Sequence, residues 1–327
     1  MWKFKFIKTA FISPILLQGS IALANSRLPI ELQNPDELHA AITIERGLSG
    51  VSVSDDHTFV FSGDSSDMVE LTFDLDGKTR DEKFGRLTEQ KRIPLLNAKF
   101  PGKWRGIFTI GERLVAWDAS MLQLLVLNEI TFKTILSSTV PTDLLRPAAD
   151  RGGEPTKLEI EVERNKFKAA SRKVFGLKYT GIAEIPRSWE KGTGINFAVA
   201  SKVPGYPLML LNCSSDAPGT CMMTRHCFLE GGPKISAEHV AGVGVMAEAK
   251  EILIANNKLN QIDVYKFNSC FDVVWQRSIE LPSRLPKMSN FSIDDHQRLW
   301  VVTPIPDSTT DSNLFYWEKE IWFKGQK

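Results

Sequence analysis

Ala241-Gly242-Val243-Gly244-Val245, followed ten residues after Gly242 by Ile252-Leu253-Ile254-Ala255, is the stretch that decides the fold of this chain. The first run pairs two glycines with valines, a composition that suits a strand approached closely by other backbone and opposes a helix. The second run is apolar without alternation, as in a strand covered on both faces. The same pair of runs recurs four more times. S-G-V-S-V at Ser49 precedes F-V-F from Phe59, R-G-I-F-T at Arg105 precedes L-V-A-W from Leu114, and T-G-I-A-E at Thr180 precedes F-A-V-A from Phe197. S-N-F-S-I at Ser289, with Asn290 in the glycine position, precedes L-W-V-V from Leu299. The longest spacing, at Thr180, contains an added segment, I-P-R-S-W-E-K-G-T-G, from Ile185 to Gly194.

Further apolar runs follow each pair. A third begins at Val69, Leu124, Leu208, Ile262 and Leu314, and a fourth is readable from Lys133 and Val273 and more faintly around Lys83 and Met222. No long stretch carries a 3.6-residue period, so the chain reads as all-β. Four strands per unit, repeated at offsets of 56, 75, 61 and 48 residues, predict a β-propeller of five four-stranded blades. The last unit lacks a clear fourth strand, and A-A-I-T-I-E-R from Ala40 is expected to supply it. That pairing would close the ring and remove two exposed edges. The offset of 75 conceals a charged insertion at about residues 142–178, in which L-E-I-E-V-E alternates from Leu158. It reads as an excursion on one rim, the alternative being part of a sixth blade.

The hydrophobic content of 43% and charged content of 24% support a full core, which excludes a disordered chain. With 40 basic and 39 acidic residues there is no global basic field, so no nucleic-acid partner is expected. Lys3, Lys5 and Lys8 precede an apolar stretch from Ala10 to Ala24 that ends in Ala22-Leu23-Ala24, the pattern of a cleaved signal with Asn25 as the new N-terminus. The expectation is a signal peptide over residues 1–24 and a single domain over 25–327, exported to the periplasm or secreted, with no transmembrane segment after cleavage. The four cysteines fit an oxidising compartment. Cys213 and Cys221 flank the turn-forming S-S-D-A-P-G-T, which favours a bond across that hairpin and leaves Cys227 to Cys270. A zinc site lacks the usual C-x-x-C pairs, and free buried cysteines are the remaining alternative.

At the level of pattern the chain resembles the β-propeller superfamily, and S-I-D-D-H-Q-R-L-W-V at Ser292–Val301 is similar to the Asp-turn-strand segment of NHL-type and gluconolactonase-like blades. Loops entering first strands and loops joining second to third strands open on one rim of such a ring. That rule nominates Arg105, Asp118, Tyr179, Thr180, His239, Asn256 and Ser289 as ligand-binding residues, with Asp64, Asp67, Trp104 and Asn257 beside them.

Glu184 stands where the other repeats carry Val53, Thr109, Val245 or Ile293, a position expected to face packed space, so its carboxylate needs a cation, a metal or a proton. An ion pair with Arg105, Arg187 or Lys202 would satisfy it. The gluconolactonase resemblance implies instead a divalent cation held by Glu184 with Asn290 and Asn256, although no second carboxylate occupies an equivalent place, and no metal is assigned. The five histidines, His39, His57, His226, His239 and His296, lack metal-ligand spacing. Trp104, Trp117, Trp189, Trp275, Trp300, Trp317 and Trp322 read as core packing. Three functions follow: an exported propeller binding a protein or small-molecule ligand on one rim without catalysis, a metal-assisted hydrolase of a lactone or phosphate ester, and a carbohydrate binder with an exposed rim tryptophan.

Overall fold

The computed structural model describes the strands between residues 30 and 134 and most of residues 141–323, the omissions there being 142, 146–151, 176–177, 191–192, 215–220, 234, 237–238, 284, 295–296 and 305–311. Residues 1–24, expected to be a signal peptide, lie outside the described residues.

The described chain is mostly β. After β1 (Ile30–Glu31) and β2 (His39–Ile44), four consecutive strands form the first sheet: β3 (Leu48–Ser54), β4 (His57–Ser62), β5 (Asp67–Asp74) and β6 (Arg86–Pro94). The fourth strand therefore starts slightly later than the faint run around Lys83. The second sheet is β7 (Trp104–Ile110), β8 (Arg113–Asp118), β9 (Gln123–Val126) and β10 (Thr131–Thr134). The charged insertion then forms helix α1 (Lys157–Arg172). The third sheet is β11 (Tyr179–Ile185), β12 (Ile195–Ser201), β13 (Leu208–Cys213) and β14 (Cys221–His226).

In the fourth sheet, β16 (Val240–Met246), β17 (Glu251–Asn256), β18 (Gln261–Ser269) and β19 (Asp272–Glu280) are joined at the outer edge by β1 and by the two-residue β15 (Leu229–Glu230), both parallel to β19. The fifth sheet holds β20 (Asn290–Ile293), β21 (Leu299–Pro304) and β22 (Ser312–Trp317), with β2 as its outer strand; helix α2 (Lys319–Trp322) follows. The expected N-terminal strand thus pairs antiparallel with β22, from His39↔Tyr316 to Ile44↔Ser312.

The first strands of the sheets lie against one another: β3 beside β7, β7 beside β11, β11 beside β16, β16 beside β20, and β20 beside β3. Side chains of the second and third strands fill the space between sheets. Ala198, Ala200 and Leu210 of the third sheet meet Ile252, Ile254 and Tyr265 of the fourth, and Leu253 and Ala255 meet Val301 and Phe315 of the fifth. Continuous burial along β12 and β17 explains why those runs show no alternation.

Both cysteine pairs close as disulfides, Cys213–Cys221 across the β13–β14 hairpin and Cys227–Cys270 between the third and fourth sheets. The added segment after Ile185 reinforces that second junction. Trp189 stacks on Phe267 with ring centroids 5.4 Å apart, and Glu190 accepts from Arg225 Nη1 at 3.1 Å and from the Cys270 amide at 3.2 Å.

Helix α1 replaces what alternation suggested as an extended segment. Thr156 caps it: its hydroxyl accepts from the Glu159 amide at 3.2 Å, while Glu159 Oε2 accepts from the Thr156 amide at 2.7 Å. Phe167 is buried against Tyr206 at 4.9 Å, and Tyr206 donates its hydroxyl to Glu163 at 2.8 Å, which seats the helix on the third sheet. No helix among the described residues is long and apolar enough to cross a membrane.

Candidate functional site at the start of the first strands

The dipeptide that opens each repeat is a β-bulge. Register shifts fall between Leu48 and Gly50, Trp104 and Gly106, Tyr179 and Gly181, and Val240 and Gly242. The extra residues are therefore Ser49, Arg105, Thr180 and Ala241. In the fifth sheet Ser289 donates its amide to Val302 O at 2.7 Å while Asn290 is the Cα partner of the same Val302, so Ser289 takes the equivalent place. A bulge turns its extra side chain out of the regular pleat, which is why such irregularities gather at rims and binding sites.

One position past the partner of the opening Gly or Asn, the second strand carries a polar residue each time: Ser62, Asp118, Ser201, Asn256 and Thr303. Each sheet consequently brings one bulge residue and one polar residue of its second strand to the same end of its first strand.

Gly181 and Gly242 are needed because neighbouring first strands crowd, through backbone at Gly181 and through side chains at Gly242. A Cβ on Gly181 would lie 2.8 Å from the Val243 amide nitrogen and 2.9 Å from Gly242 Cα; one on Gly242 would lie 2.6 Å from Asn290 Oδ1. Asn290, the exception to the glycine rule, uses its side chain across that gap. Its Nδ2 donates to Thr180 O at 3.4 Å and its Oδ1 accepts from the Phe291 amide at 2.7 Å.

Of the nominated residues, Tyr179 and Thr180 are buried, and the Thr180 hydroxyl has no hydrogen-bond partner among the described residues. His239 is half-buried, and its carbonyl accepts from the Asn257 amide at 2.8 Å; Asn256 is the Cα partner of the adjacent Val240, so these three share one corner. Ser289 is half-buried next to Asn290. The backbone of Arg105 and Asp118 is in register at the same end of the second sheet, Trp104 being the Cα partner of Asp118. Asp64 lies outside the described residues, and Asp67 opens β5.

Asn256 departs from a free rim residue. It is buried, donates Nδ2 to Asp263 Oδ2 at 3.4 Å and accepts from the Leu259 amide at 3.5 Å. Asp263 Oδ1 also accepts from Ser278 Oγ at 2.6 Å and Gln261 Nε2 at 2.5 Å. Burial pushes the Asp263 carboxyl above its ordinary pKa despite the hydrogen bonds from Ser278, Gln261 and Asn256. No signal in the sequence marked this network, because Asn256 and Asp263 belong to different strands and meet only through pairing.

Glu184 does not face packed space. It is exposed near the far end of β11, and its neighbours still raise its carboxyl pKa by desolvation, countered in part by Arg187. The pleat explains the difference: Ile182 and Ala183 take the half-buried positions next to Gly181, and Ile185 takes the buried one beyond. Glu184 is the Cα partner of Phe197, three strand positions from the Gly181↔Ala200 level where Asn290 reaches Thr180, or about 10 Å along the strand. The structure therefore does not bring Glu184, Asn290 and Asn256 together, and no group of three His, Cys, Asp or Glu with metal-holding geometry occurs among the described residues. Trp117, Trp300, Trp317 and Trp322 are buried and Trp189 and Trp275 half-buried, while the side chain of Trp104 lies outside the described ones.

The chain matches no protein-family model and no curated protein sequence. It is similar in structure to a nidogen/laminin complex chain (8% identity, TM-score 0.42, covering 79% of this chain and 72% of that one). It is also similar to a streptogramin B lyase (12%, 0.36, 81% and 65%) and to the glutaminyl cyclase of Myxococcus xanthus (10%, 0.40, 85% and 95%). All three are propeller-type folds. At these identities no activity or partner carries over to this chain.

Proposed function

We propose that this chain is an exported five-bladed propeller, closed by β2 in its last blade, that binds a protein or small-molecule ligand on the rim where the bulges open, without chemistry of its own. The observation that carries the reading is the repeated bulge, which supplies Ser49, Arg105, Thr180, Ala241 and Ser289 at equivalent places, each beside a polar residue of the second strand. Ser49, Ser62 and Ser289 bring hydroxyls, Asp118 a carboxylate and Arg105 one guanidinium, hydrogen-bonding and charge-pairing groups suited to recognition of an oxygen-rich ligand, whereas Thr180, Ser201, Asn256 and Thr303 are buried. Two disulfides fit the oxidising compartment that export would reach.

The rival, a metal-assisted hydrolase, would draw on Glu184 with Asn290 and Asn256, and their separation along the strands counts against a shared ion. A thermal-shift screen with small carboxylates, phosphate esters and sugars tests the reading. The expected result is a class of ligand that raises Tm of the unmodified chain and fails to do so for Arg105→Ala/Asp118→Ala. Divalent ion in the purified protein that disappears in Glu184→Gln, together with hydrolysis of a lactone or phosphate ester, would overturn it in favour of the rival.

A further inference from the structure

Helix α1 presents an apolar ridge between two rows of cations on the side away from the protein. Phe167 marks the seated face. At 100° per residue Leu158 lies opposite it, with Val162, Ala169 and the polar Asn165 within 40° of that line. Leu158 is 71% and Val162 46% exposed, and Phe175, just past the C-terminal end, is 96% exposed. In the C-terminal half Lys168 and Arg172 flank the ridge on one side and Lys166 and Lys173 on the other, while Glu161 stands beside Leu158 and Val162 in the N-terminal half, all exposed. From Arg164 to Lys178 there are six cations and no acid. Glu159 and Glu161 are confined to the first two turns, and Glu163 accepts from Tyr206 through Oε1 and pairs through Oε2 with Lys166 at 3.0 Å, so Lys168, Arg172 and Lys173 carry most of the positive field beside the ridge. On one flank Lys157, Arg164 and Lys168, with Ile160, Glu161 and Asn165, line an open depression of about 410 Å³.

We propose that this ridge docks the protein onto an anionic lipid surface. A convex line of isolated apolar side chains within a dense positive field needs no shape-matched groove. A headgroup layer accepts such projections and supplies the complementary charge. The seating of α1 through Phe167 and Tyr206 holds the ridge outward before contact, so no helix has to fold on binding.

Co-sedimentation of the purified protein with vesicles of equimolar phosphatidylglycerol and phosphatidylcholine, against phosphatidylcholine alone, tests the proposal. Variant and unmodified protein share the same N-terminus, so any contribution from it cancels. The expected result is binding to the anionic vesicles only, weakened at least tenfold in Lys168→Glu/Arg172→Glu, weakened in Phe175→Ala, and lost when salt is raised from 0.1 M to 0.5 M. Circular dichroism and Tm of the exposed-site variants should match the unmodified protein, which separates lost docking from lost folding. Binding to neither vesicle, equal binding to both, or binding that survives the charge reversal would each overturn the proposal. So would an acidic protein partner taken up through Phe175 by a chain that ignores vesicles.

Discussion

A single methyl group distinguishes the two kinds of glycine in this chain. Gly181 faces backbone atoms of β16 that cannot move aside, whereas nothing lies within 4 Å of a Cβ on Gly153, whose φ is not positive. Gly181→Ala is predicted to cost about 1–3 kcal/mol through overpacking. Gly153→Ala should be neutral or stabilising by about 0.4–1 kcal/mol through the unfolded chain. Denaturant midpoints of the two variants check this, and equal effects would contradict the crowding at the first strands. The four tyrosines make a second prediction at this scale. Burial pushes Tyr179 up to about 12, and burial with Glu318 pushes Tyr316 up to about 12 against the pull of Arg298. Tyr206 and Tyr265 are raised further, by burial with Glu163 and by burial with Asp263. A phenol whose folded pKa exceeds its unfolded value near 10 binds more proton when folded, so stability falls as pH rises above about 10. Tyrosinate absorbance should be absent from the folded chain near pH 10.5 and present in denaturant at the same pH. Ionisation at ordinary pKa in the folded chain would refute it.

Connections between neighbouring elements distribute stability unevenly. The Cys213–Cys221 bond spans 8 residues and ties one hairpin; Cys227–Cys270 spans 43 and ties two sheets. Loop-closure entropy alone gives about 2.5 kcal/mol for the first and about 4 kcal/mol for the second. Replacing each pair by serines and comparing unfolding free energies should place the Cys227/Cys270 variant lower; the reverse order would count against that account. Both pairings were legible from the turn between Cys213 and Cys221, as were the first and second strands, because glycine before a β-branched run and unbroken apolar runs report crowding and two-sided burial directly. Helix α1 was hidden by L-E-I-E-V-E, where Leu158, Ile160 and Val162 mimic a strand's period. The signals that decide it are local: the Thr156/Glu159 capping box and the helix-favouring Glu, Lys and Arg that follow. Glu184 was misplaced for a different reason. Alignment of repeats identifies a strand position, but which face is open depends on how the neighbouring first strands pack.

In the whole molecule one unit repeats, the first strands touch in turn, and the last sheet borrows its outer strand from the N-terminal segment. The site scale was less legible than the fold. The sequence marks the Gly or Asn near the start of each first strand, whereas the Asn290–Thr180 tie joins residues 110 apart and the Asp263 network forms only when strands pair. Thr43 of β2 and Asn313 of β22 are Cα partners. Mass-spectrometric mapping of Thr43→Cys/Asn313→Cys, oxidised as the folded protein, tests closure most directly. A third disulfide joining residues 43 and 313, formed beside the two native bonds and with Tm unchanged or raised, is the predicted result; two free thiols at those positions in a folded chain would contradict the closed ring.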